Sequence, residues 1–222
     1  MGYYSEKLPG TRLRECYEIA SPRVQQYFHA EISHVLTSIE PADAVLELGC
    51  GYGRVVMELA QAADRVVGID TSAESLALAR QLTDSDSNCE FLEMDAVDLR
   101  FPDDEFEVVV CIQNGICAFG VDRERLLREA IRVTRSAGRV IISSYAERFW
   151  PHRLEWFERQ AEKGLVGDID YDATRDGVIV CKDGFRAETM SPADLEILCM
   201  QLGVAPTITE VDGSSIFCEF TV

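Results

Sequence analysis

Short apolar runs alternate with amphipathic stretches along most of this chain. Five runs that are predicted to be strands occupy 44–48, 66–70, 89–93, 106–112 and 140–145. Between them, apolar residues recur every three or four positions, which is the spacing of a helix that buries one face. Strands that alternate with such helices predict an α/β fold.

Other patterns predict the elements around these strands. Helices are predicted at 22–38, 122–135 and 151–163, with others that open at Thr71 and Ser191 and a turn at 137–139. A hairpin is predicted at 178–189, because two segments of strand length, 178–181 and 185–189, are joined by the turn Lys182-Asp183-Gly184. Two further runs, 207–211 and 215–221, flank Asp212-Gly213.

The first strand ends in three glycines at alternate positions. Gly49, Gly51 and Gly53 follow it, and the next strand closes on Asp70, 21 residues after Gly49. Glycines let the backbone approach a ligand closely, and an acid at this distance can accept hydrogen bonds from ribose hydroxyls. The unit therefore predicts a site for a cofactor that contains a nucleoside.

The spacing of the glycines narrows the choice of cofactor. A dinucleotide site needs a third glycine in the first turn of the helix, and Arg54 stands there. The Lys and Ser or Thr of a phosphate-binding P-loop are also missing after Gly53. A nicotinamide dehydrogenase thus remains a disfavoured alternative. Glu47, just before the loop, suits a ligand that carries an amino group.

The segment Glu47-Leu48-Gly49-Cys50-Gly51-Tyr52-Gly53 resembles the first motif of the class I S-adenosylmethionine-dependent methyltransferases. The resemblance extends over residues 40 to 146 and implies S-adenosylmethionine as the cofactor. It also implies a Rossmann-like fold with a seven-stranded, mostly parallel sheet whose last strand is antiparallel. In that family a C-terminal hairpin completes the sheet, and the runs 207–211 and 215–221 resemble it.

The resemblance also implies roles for individual residues. Glu47 would meet the methionine amine, Asp70 the ribose and Asp95 the adenine. Arg54 would either approach the cofactor carboxylate or pack at the start of its helix. The residues expected to bind the cofactor are Glu47, Gly49, Cys50, Gly51, Gly53, Arg54, Asp70, Thr71, Asp95, Ala96, Ile112, Gln113, Tyr4 and Tyr17.

The chain is expected to be a single domain, 1–222, in four parts. These are an N-terminal helical cap (1–40), a cofactor-binding core (41–146), a substrate-side insertion that contains the hairpin (147–203) and a C-terminal hairpin (204–222). Tyr4 and Tyr17 of the cap would cover the methionine end of the cofactor, because aromatic faces attract a sulfonium cation. Packing alone is the alternative for these tyrosines.

The acceptor is expected to be a small molecule bound beside the insertion. Asn114, Phe149 and Trp150 are the candidate substrate contacts, since they follow strands at the sheet edge where ligands bind. His152 is the candidate general base, with Tyr145 as the second choice. A surface role for His152 is the alternative. A non-catalytic cofactor-binding protein, its cavity plugged by Trp150 or Phe149, is the alternative function.

Composition restricts the remaining functions. The 222 residues carry a net charge of −18, which argues against nucleic-acid binding because that requires Lys and Arg to neutralise phosphates. No apolar run reaches the length of a membrane span, so a cytoplasmic monomer or homodimer is expected. Eight cysteines without a C-x-x-C pair predict core residues and no metal site. Acceptor binding by Cys117 and Cys181 is the alternative for two of them.

Overall fold

The strands predicted from the apolar runs form one seven-stranded sheet in the computed structural model, which describes residues 3–84 and 87–222. The strand order is β3-β2-β1-β4-β5-β9-β8, and only β9 runs antiparallel to its neighbours β5 and β8. These strands are β1 (Ala44–Leu48), β2 (Arg65–Asp70), β3 (Cys89–Glu93), β4 (Phe106–Cys111), β5 (Thr134–Tyr145), β8 (Thr207–Val211) and β9 (Ser215–Thr221). The expected α/β fold with an antiparallel last strand is confirmed.

Helices cover both faces of this sheet. They are α1 (Tyr3–Lys7), α2 (Thr11–Glu18), α3 (Pro22–Leu36), α4 (Arg54–Leu59), α5 (Ala73–Leu82), α6 (Gly115–Ala118), α7 (Arg123–Val133), α8 (Trp150–Glu162) and α9 (Pro192–Gln201). Successive side chains of a strand point to opposite faces of the sheet. Val45 thus packs in a cluster with residues of α3, α4 and α5 on one face, and Leu46 packs in a cluster with residues of α6, α7 and α9 on the other. Both faces of the central strands are therefore buried, as their apolar composition requires.

The largest correction concerns the start of β5. The sequence predicts a helix to residue 135 and a turn at 137–139, but α7 ends at Val133 and β5 begins at Thr134. The predicted turn is a bulge in the strand, where Ala137 has a φ of 65° and the pairing with β4 shifts. Ala137 N donates to Val222 O at 2.7 Å, so the end of the chain satisfies the bulged backbone.

A smaller correction concerns the start of α5. Ser72 is its N-cap and accepts a hydrogen bond from Ser75 N, whereas the sequence predicts a capping box that opens at Thr71. The box predicted at Ser191 is confirmed, with Asp194 as its second member. Thr71 and Ser72 are both suitable N-cap residues by type. Which of them caps the helix depends on whose side chain reaches a free backbone N–H, and the sequence does not show that.

A third apolar cluster joins the N-terminal helices to the segment after β5. The predicted hairpin is present as β6 (Ile179–Val180) and β7 (Arg186–Ala187), which pair antiparallel. Phe185 of its turn packs against Phe157 of α8 and against Tyr3 and Tyr4 of α1. Residues 1 and 2 of the expected cap lie outside the described residues. The division into four parts stays a prediction.

The described part of the chain holds no helix long and apolar enough to cross a membrane. It also holds no group of three or more His, Cys, Asp or Glu side chains arranged as a metal site. All eight cysteines are free thiols, and only Cys89 and Cys117 are not fully buried. Cysteine thus fills core positions, as expected, although Cys117 lies at the edge of the core.

Candidate active site

The glycine loop after β1 packs against the end of β2. Gly49 N donates to Ile69 O at 2.9 Å, and the φ angles of Gly49 and Gly51 are 75° and 53°. A Cβ on Gly49 would collide with the ring of Phe119, and one on Gly51 would lie 2.8 Å from Leu13. Glycine is required at both positions, because the backbone is left-handed and the neighbouring side chains leave no room.

Asp70 ends β2 directly beside this loop. Its Oδ2 accepts a hydrogen bond from Gly51 N at 2.9 Å, and its Oδ1 accepts one from Ser72 N at 2.8 Å. Burial raises the pKa of Asp70, and these backbone N–H groups oppose that shift. A carboxylate can accept about four hydrogen bonds, so Asp70 can still accept bonds from ribose hydroxyls in the cavity that it lines.

Glu47 and Arg54 lie near each other beside the loop, without an ion pair between them. Glu47 is 4% exposed and its Oε2 has no hydrogen-bond partner. Burial raises its pKa to about 8, and the charge of Arg54 opposes that shift. The Arg54 guanidinium lies 4.8 Å from the ring centre of Tyr17 and 4.9 Å from that of Phe28. One of its terminal nitrogens is also unpartnered, so Arg54 both packs and offers a donor.

The ends of β3 and β4 supply the opposite wall. Asp95 is exposed at the rim, and its Oδ1 accepts a hydrogen bond from Val97 N at 3.1 Å. Gln113 has a left-handed backbone with a φ of 56°, and its N–H donates to Glu31 Oε2 at 2.9 Å. The Gln113 Nε2 is buried without a partner. These side chains can accept or donate hydrogen bonds across a planar base, as adenine recognition requires.

A cavity of about 430 Å³ brings the predicted cofactor residues together. All of them line it except Gly53. Gly53 is the N-cap of α4 and has a left-handed backbone with a φ of 83°. The cavity continues beyond them between the N-terminal helices and α8. We call this second part the acceptor half; its wall is largely aromatic and consists mainly of Tyr27, Phe28, Tyr145 and Trp156.

The structure does not bring His152 to this cavity. The buried face of α8 is formed by residues 153, 156, 157 and 160, and His152 lies one position off that face. Its ring packs against Phe149 at 5.6 Å between ring centres. A helix turns by 3.6 residues, so a shift of one position points a side chain well away from the core. Tyr145, the second choice for the general base, does line the cavity, and its assignment as a base stays a prediction.

The three predicted substrate contacts also lie outside the cavity wall. Asn114 is buried, and both ends of its amide are engaged, by Glu188 O and by Ser144 Oγ, each at 2.9 Å. Phe149 is 1% exposed within the aromatic cluster, and Trp150 packs near the Arg153 guanidinium. These residues therefore support the acceptor half from behind and do not plug it.

Sequence reasoning missed three buried polar residues near the acceptor half. Tyr27 and Glu31 are one helical turn apart on α3, and Arg153 is on α8; they are 1%, 0% and 1% exposed. Burial raises the pKa of Glu31 to about 7. The sequence did contain a signal for these residues. Each lies on the apolar stripe of its helix, where burial of a polar side chain is unfavourable unless a partner or a ligand compensates it.

Comparison with known proteins decides the family. The profile of the methyltransferase domain family matches residues 45–138, from β1 into the bulge of β5. Residues 45–138 therefore form a methyltransferase domain of the class I, S-adenosylmethionine-dependent type. The match covers the glycine loop, Asp70 and Asp95, which are the residues that the sequence resemblance rests on.

Curated relatives resemble the methyltransferase domain over part of their length. A 2-methyl-6-phytyl-1,4-hydroquinone methyltransferase from Synechocystis is 31% identical over 51% of this chain and 35% of that protein. A 27-O-demethylrifamycin SV methyltransferase from Amycolatopsis mediterranei is 30% identical over 60% of this chain and 51% of that protein. The matched region thus spans about half or less of these relatives.

A solved structure shares the fold across nearly the whole chain. The complex of DhpI with SAM and HEP superposes with a TM-score of 0.68, at 23% identity, and covers 99% of this chain and 94% of its own. At this identity the likeness shows the fold alone. The N-terminal helices and the segment after β5 are therefore parts of a fold that is already known from a solved structure.

The residues around the cavity fit S-adenosylmethionine. Its amine needs a carboxylate, and Glu47 offers a buried, unpartnered oxygen. Its carboxylate needs a cation, and Arg54 offers an unpartnered guanidinium nitrogen. Its ribose hydroxyls need a carboxylate at a place where the backbone lets the ligand approach closely, and Asp70 lies against the amide of Gly51. Buried polar atoms without partners cost stability, so their convergence on one cavity indicates a polar ligand.

Proposed function

We propose that this chain is a methyltransferase that binds S-adenosylmethionine and methylates a small-molecule acceptor. The observation that carries the proposal is the composition of one continuous cavity. Unpartnered groups complementary to an amino acid and a nucleoside line one half, and aromatic side chains line the other. The two halves meet, so an acceptor can lie next to the methionine end of the cofactor.

The residues of the chain would hold and align the reactants. S-adenosylmethionine supplies an electrophilic methyl group on a sulfonium, a good leaving group, so alignment provides much of the acceleration. Glu47 and Arg54 would hold the amino-acid end and Asp70 the ribose, while Asp95 and the backbone of Ala96 would meet the adenine. Tyr17 would shield the methionine end from water, since its ring lies against Arg54 in the wall.

The named relatives support a small-molecule acceptor. One is a hydroquinone methyltransferase and another a rifamycin methyltransferase, and both names denote small organic acceptors. The net charge of −18 supports the same choice over a nucleic acid. We further propose that the protein acts in the cytoplasm as a monomer or homodimer, without a membrane or nucleic-acid partner.

The non-catalytic alternative is less well supported. It predicts an acceptor half filled by Phe149 or Trp150, and neither side chain lines the cavity. The decisive experiment combines calorimetric titration of S-adenosylhomocysteine with transfer of isotope-labelled methyl groups to a panel of phenols, amines and thiols. Binding with turnover of a panel member supports the proposal, and binding without any turnover supports the alternative.

Replacement of Asp70 tests the cofactor assignment. Asp70→Ala removes an acceptor of ribose hydroxyls and should weaken S-adenosylhomocysteine binding by about 1.5–3 kcal/mol, the range for hydrogen bonds to charged groups. Asp64→Ala is the matched control, because Asp64 is exposed and does not line the cavity. Calorimetry that finds equal affinities in both variants would discard the ribose assignment.

A further inference from the structure

The acceptor half is backed by a buried cation that forms no ion pair. Arg153 is 1% exposed, and its guanidinium donates to backbone carbonyls, with Nη1 2.7 Å from Gly177 O and Nη2 3.0 Å from Ala187 O. Among the described residues no carboxylate lies within ion-pairing distance of it. Carbonyl dipoles solvate the cation but leave its net charge uncompensated, which is costly away from water.

This charge acts on the wall of the acceptor half. The Arg153 guanidinium carbon lies 4.5 Å from the ring centre of Tyr145, which lines the cavity. The ionisable groups with the largest effect on the guanidinium are Tyr145, Tyr4, Tyr27 and Cys117, from β5, α1, α3 and α6. All four are uncharged near neutral pH, so none of them neutralises Arg153.

One carboxyl also acts on Tyr145. Burial raises the pKa of the Tyr145 phenol to about 12; Arg153 opposes this shift, and Glu31 of α3 adds to it. Burial also raises the pKa of Glu31 itself, to about 7. Its Oε2 is also held by the backbone N–H of Gln113. Among the described residues Glu31 forms no ion pair with Arg153, so the positive charge of Arg153 stays uncompensated.

Hydrogen-bond donors without partners line the same half. Tyr27 is 1% exposed and lines the cavity, and the only described group that its buried hydroxyl can approach for hydrogen bonding is the Tyr145 hydroxyl in the same wall. Gln160 of α8 is 2% exposed, lines the cavity and has an unpartnered Nε2. Buried donors beside an uncompensated cation are the arrangement that binds an oxygen anion most favourably.

We propose that the acceptor is an aromatic hydroxyl compound that this half binds as its phenolate. The inference rests on the proposed methyltransferase function and names its substrate class. The aromatic walls take the ring, and the hydroxyls of Tyr27 and Tyr145 and the amide of Gln160 donate to the oxygen. On binding, the acceptor hydroxyl gives its proton to the buffer and keeps the electron pair on oxygen. That electron pair is the nucleophile that methyl transfer requires.

The chemistry disfavours protonated amines and neutral compounds as acceptors in this half. A protonated amine would be repelled by Arg153 and would leave three donors without an acceptor. A neutral ether or hydrocarbon would fill the space between the aromatic walls but would not compensate the charge of Arg153. A phenol does both, because its ring is apolar and its ionised oxygen accepts several hydrogen bonds.

The test uses 4-nitrophenol, whose phenolate absorbs at longer wavelength than its phenol. It is titrated with the full-length protein saturated with S-adenosylhomocysteine, at a pH below the pKa of the free compound. We expect the phenolate band to grow on binding, and 4-nitroanisole, which cannot ionise, to bind at least about tenfold more weakly. A bound spectrum of the neutral phenol would overturn the proposal.

Single substitutions test how much each side chain contributes to phenolate binding. Tyr27→Phe and Tyr145→Phe should each weaken phenolate binding by about fivefold to tenfold, the effect of one hydrogen bond to a charged oxygen. Arg153→Met should abolish growth of the phenolate band. Arg159→Met is the control, because Arg159 lies on the same helix but is paired with Glu155 and has a side chain that is 43% exposed. Phenolate binding that is equal in wild type and both Phe variants contradicts the proposal.

Two further readouts make each result decisive. Circular dichroism reports whether Arg153→Met folds, since it also loses bonds to Gly177 and Ala187; if it does not, the two Phe variants decide. Calorimetry with S-adenosylhomocysteine reports on the function itself. Failure of the wild type to bind this compound overturns the proposed function, whereas binding of it without preference for phenolate overturns only the acceptor class.

Discussion

At the scale of single residues, the site is made of side chains that are unfavourable in the fold by themselves. Glu47 lies in a strand whose other residues are apolar, and it is 4% exposed with an unpartnered oxygen. Arg153 is a buried cation without a carboxylate partner in the part of the chain that the structure describes. Such groups reduce stability and are typical of binding sites, where the ligand supplies the missing partner.

The stability of the protein without cofactor should depend on the ionisation of Glu47. Because its folded pKa, about 8, exceeds its ordinary value of 4.5, Glu47 favours folding most below about pH 4.5, and this contribution is lost as the pH rises towards 8. Glu47→Gln cannot ionise. Its melting temperature relative to wild type should therefore increase between about pH 5 and about pH 9.

Thermal melts over this pH range, without ligand, measure the effect. Glu58→Gln is the matched control, because Glu58 is an exposed glutamate on the neighbouring helix α4. The difference between the Glu58 variant and wild type should stay constant with pH. A Glu47 variant that also keeps a constant difference from wild type would show that the buried carboxyl does not ionise in this range.

At the scale of elements, the acceptor half depends on contacts between the N-terminal helices and α8. Trp156 of α8 donates its indole N–H to Cys16 O at the end of α2, at 2.7 Å. Arg12 of α2 donates to Gly164 O at 2.8 Å, just after α8. These bonds join segments about 140 residues apart in sequence, so they hold a wall of the cavity that neither segment forms alone.

Loss of the Trp156 hydrogen bond should loosen α2 before it affects the sheet. Trp156→Phe keeps an aromatic ring but leaves Cys16 O without its buried donor, at a cost of about 1–3 kcal/mol. Amide hydrogen exchange should rise in α2 and α8, while the central strands keep their protection. Tyr171→Phe is the control, because that tyrosine is 65% exposed and its hydroxyl donates to the surface residue Glu158. Unchanged exchange in α2 would contradict this role.

At the scale of the whole molecule, charge is the dominant feature. The chain has 39 acidic and 21 basic residues, and most of its ion pairs lie on the surface, where each contributes little. The remaining acidic residues repel one another in the folded state more than in the expanded unfolded chain. Folding therefore carries an electrostatic cost that depends on the salt concentration.

Added salt should accordingly stabilise the protein. The melting temperature should rise between about 10 mM and about 150 mM sodium chloride, because the screening length falls from about 30 Å to about 8 Å. Glycerol at matched osmolality serves as the uncharged control and should not reproduce the steep initial rise. A melting temperature that falls over this range would indicate that the surface ion pairs outweigh the net repulsion.

Local patterns in the sequence determined the core of the fold and the cofactor half of the site. The strands, the glycine loop and Asp70 were predictable because each depends on residues close together in the chain. Hydrophobic period, glycine at a left-handed turn and an acid at the end of a strand are all short-range signals. The seven-stranded, mostly parallel sheet with an antiparallel last strand was expected from the family resemblance, and the structure confirms it. The order of the strands in the sheet was not predicted.

Only the tertiary structure decided the acceptor half. His152 and Asn114 looked suitable from their positions after strands, but a rotation of one residue turned the first away, and two structural hydrogen bonds engaged the second. Tyr27, Tyr145 and Arg153 meet only after α3, β5 and α8 have packed together. Their separation in sequence exceeds the range of any local pattern, because packing between distant segments sets which side chains share a cavity.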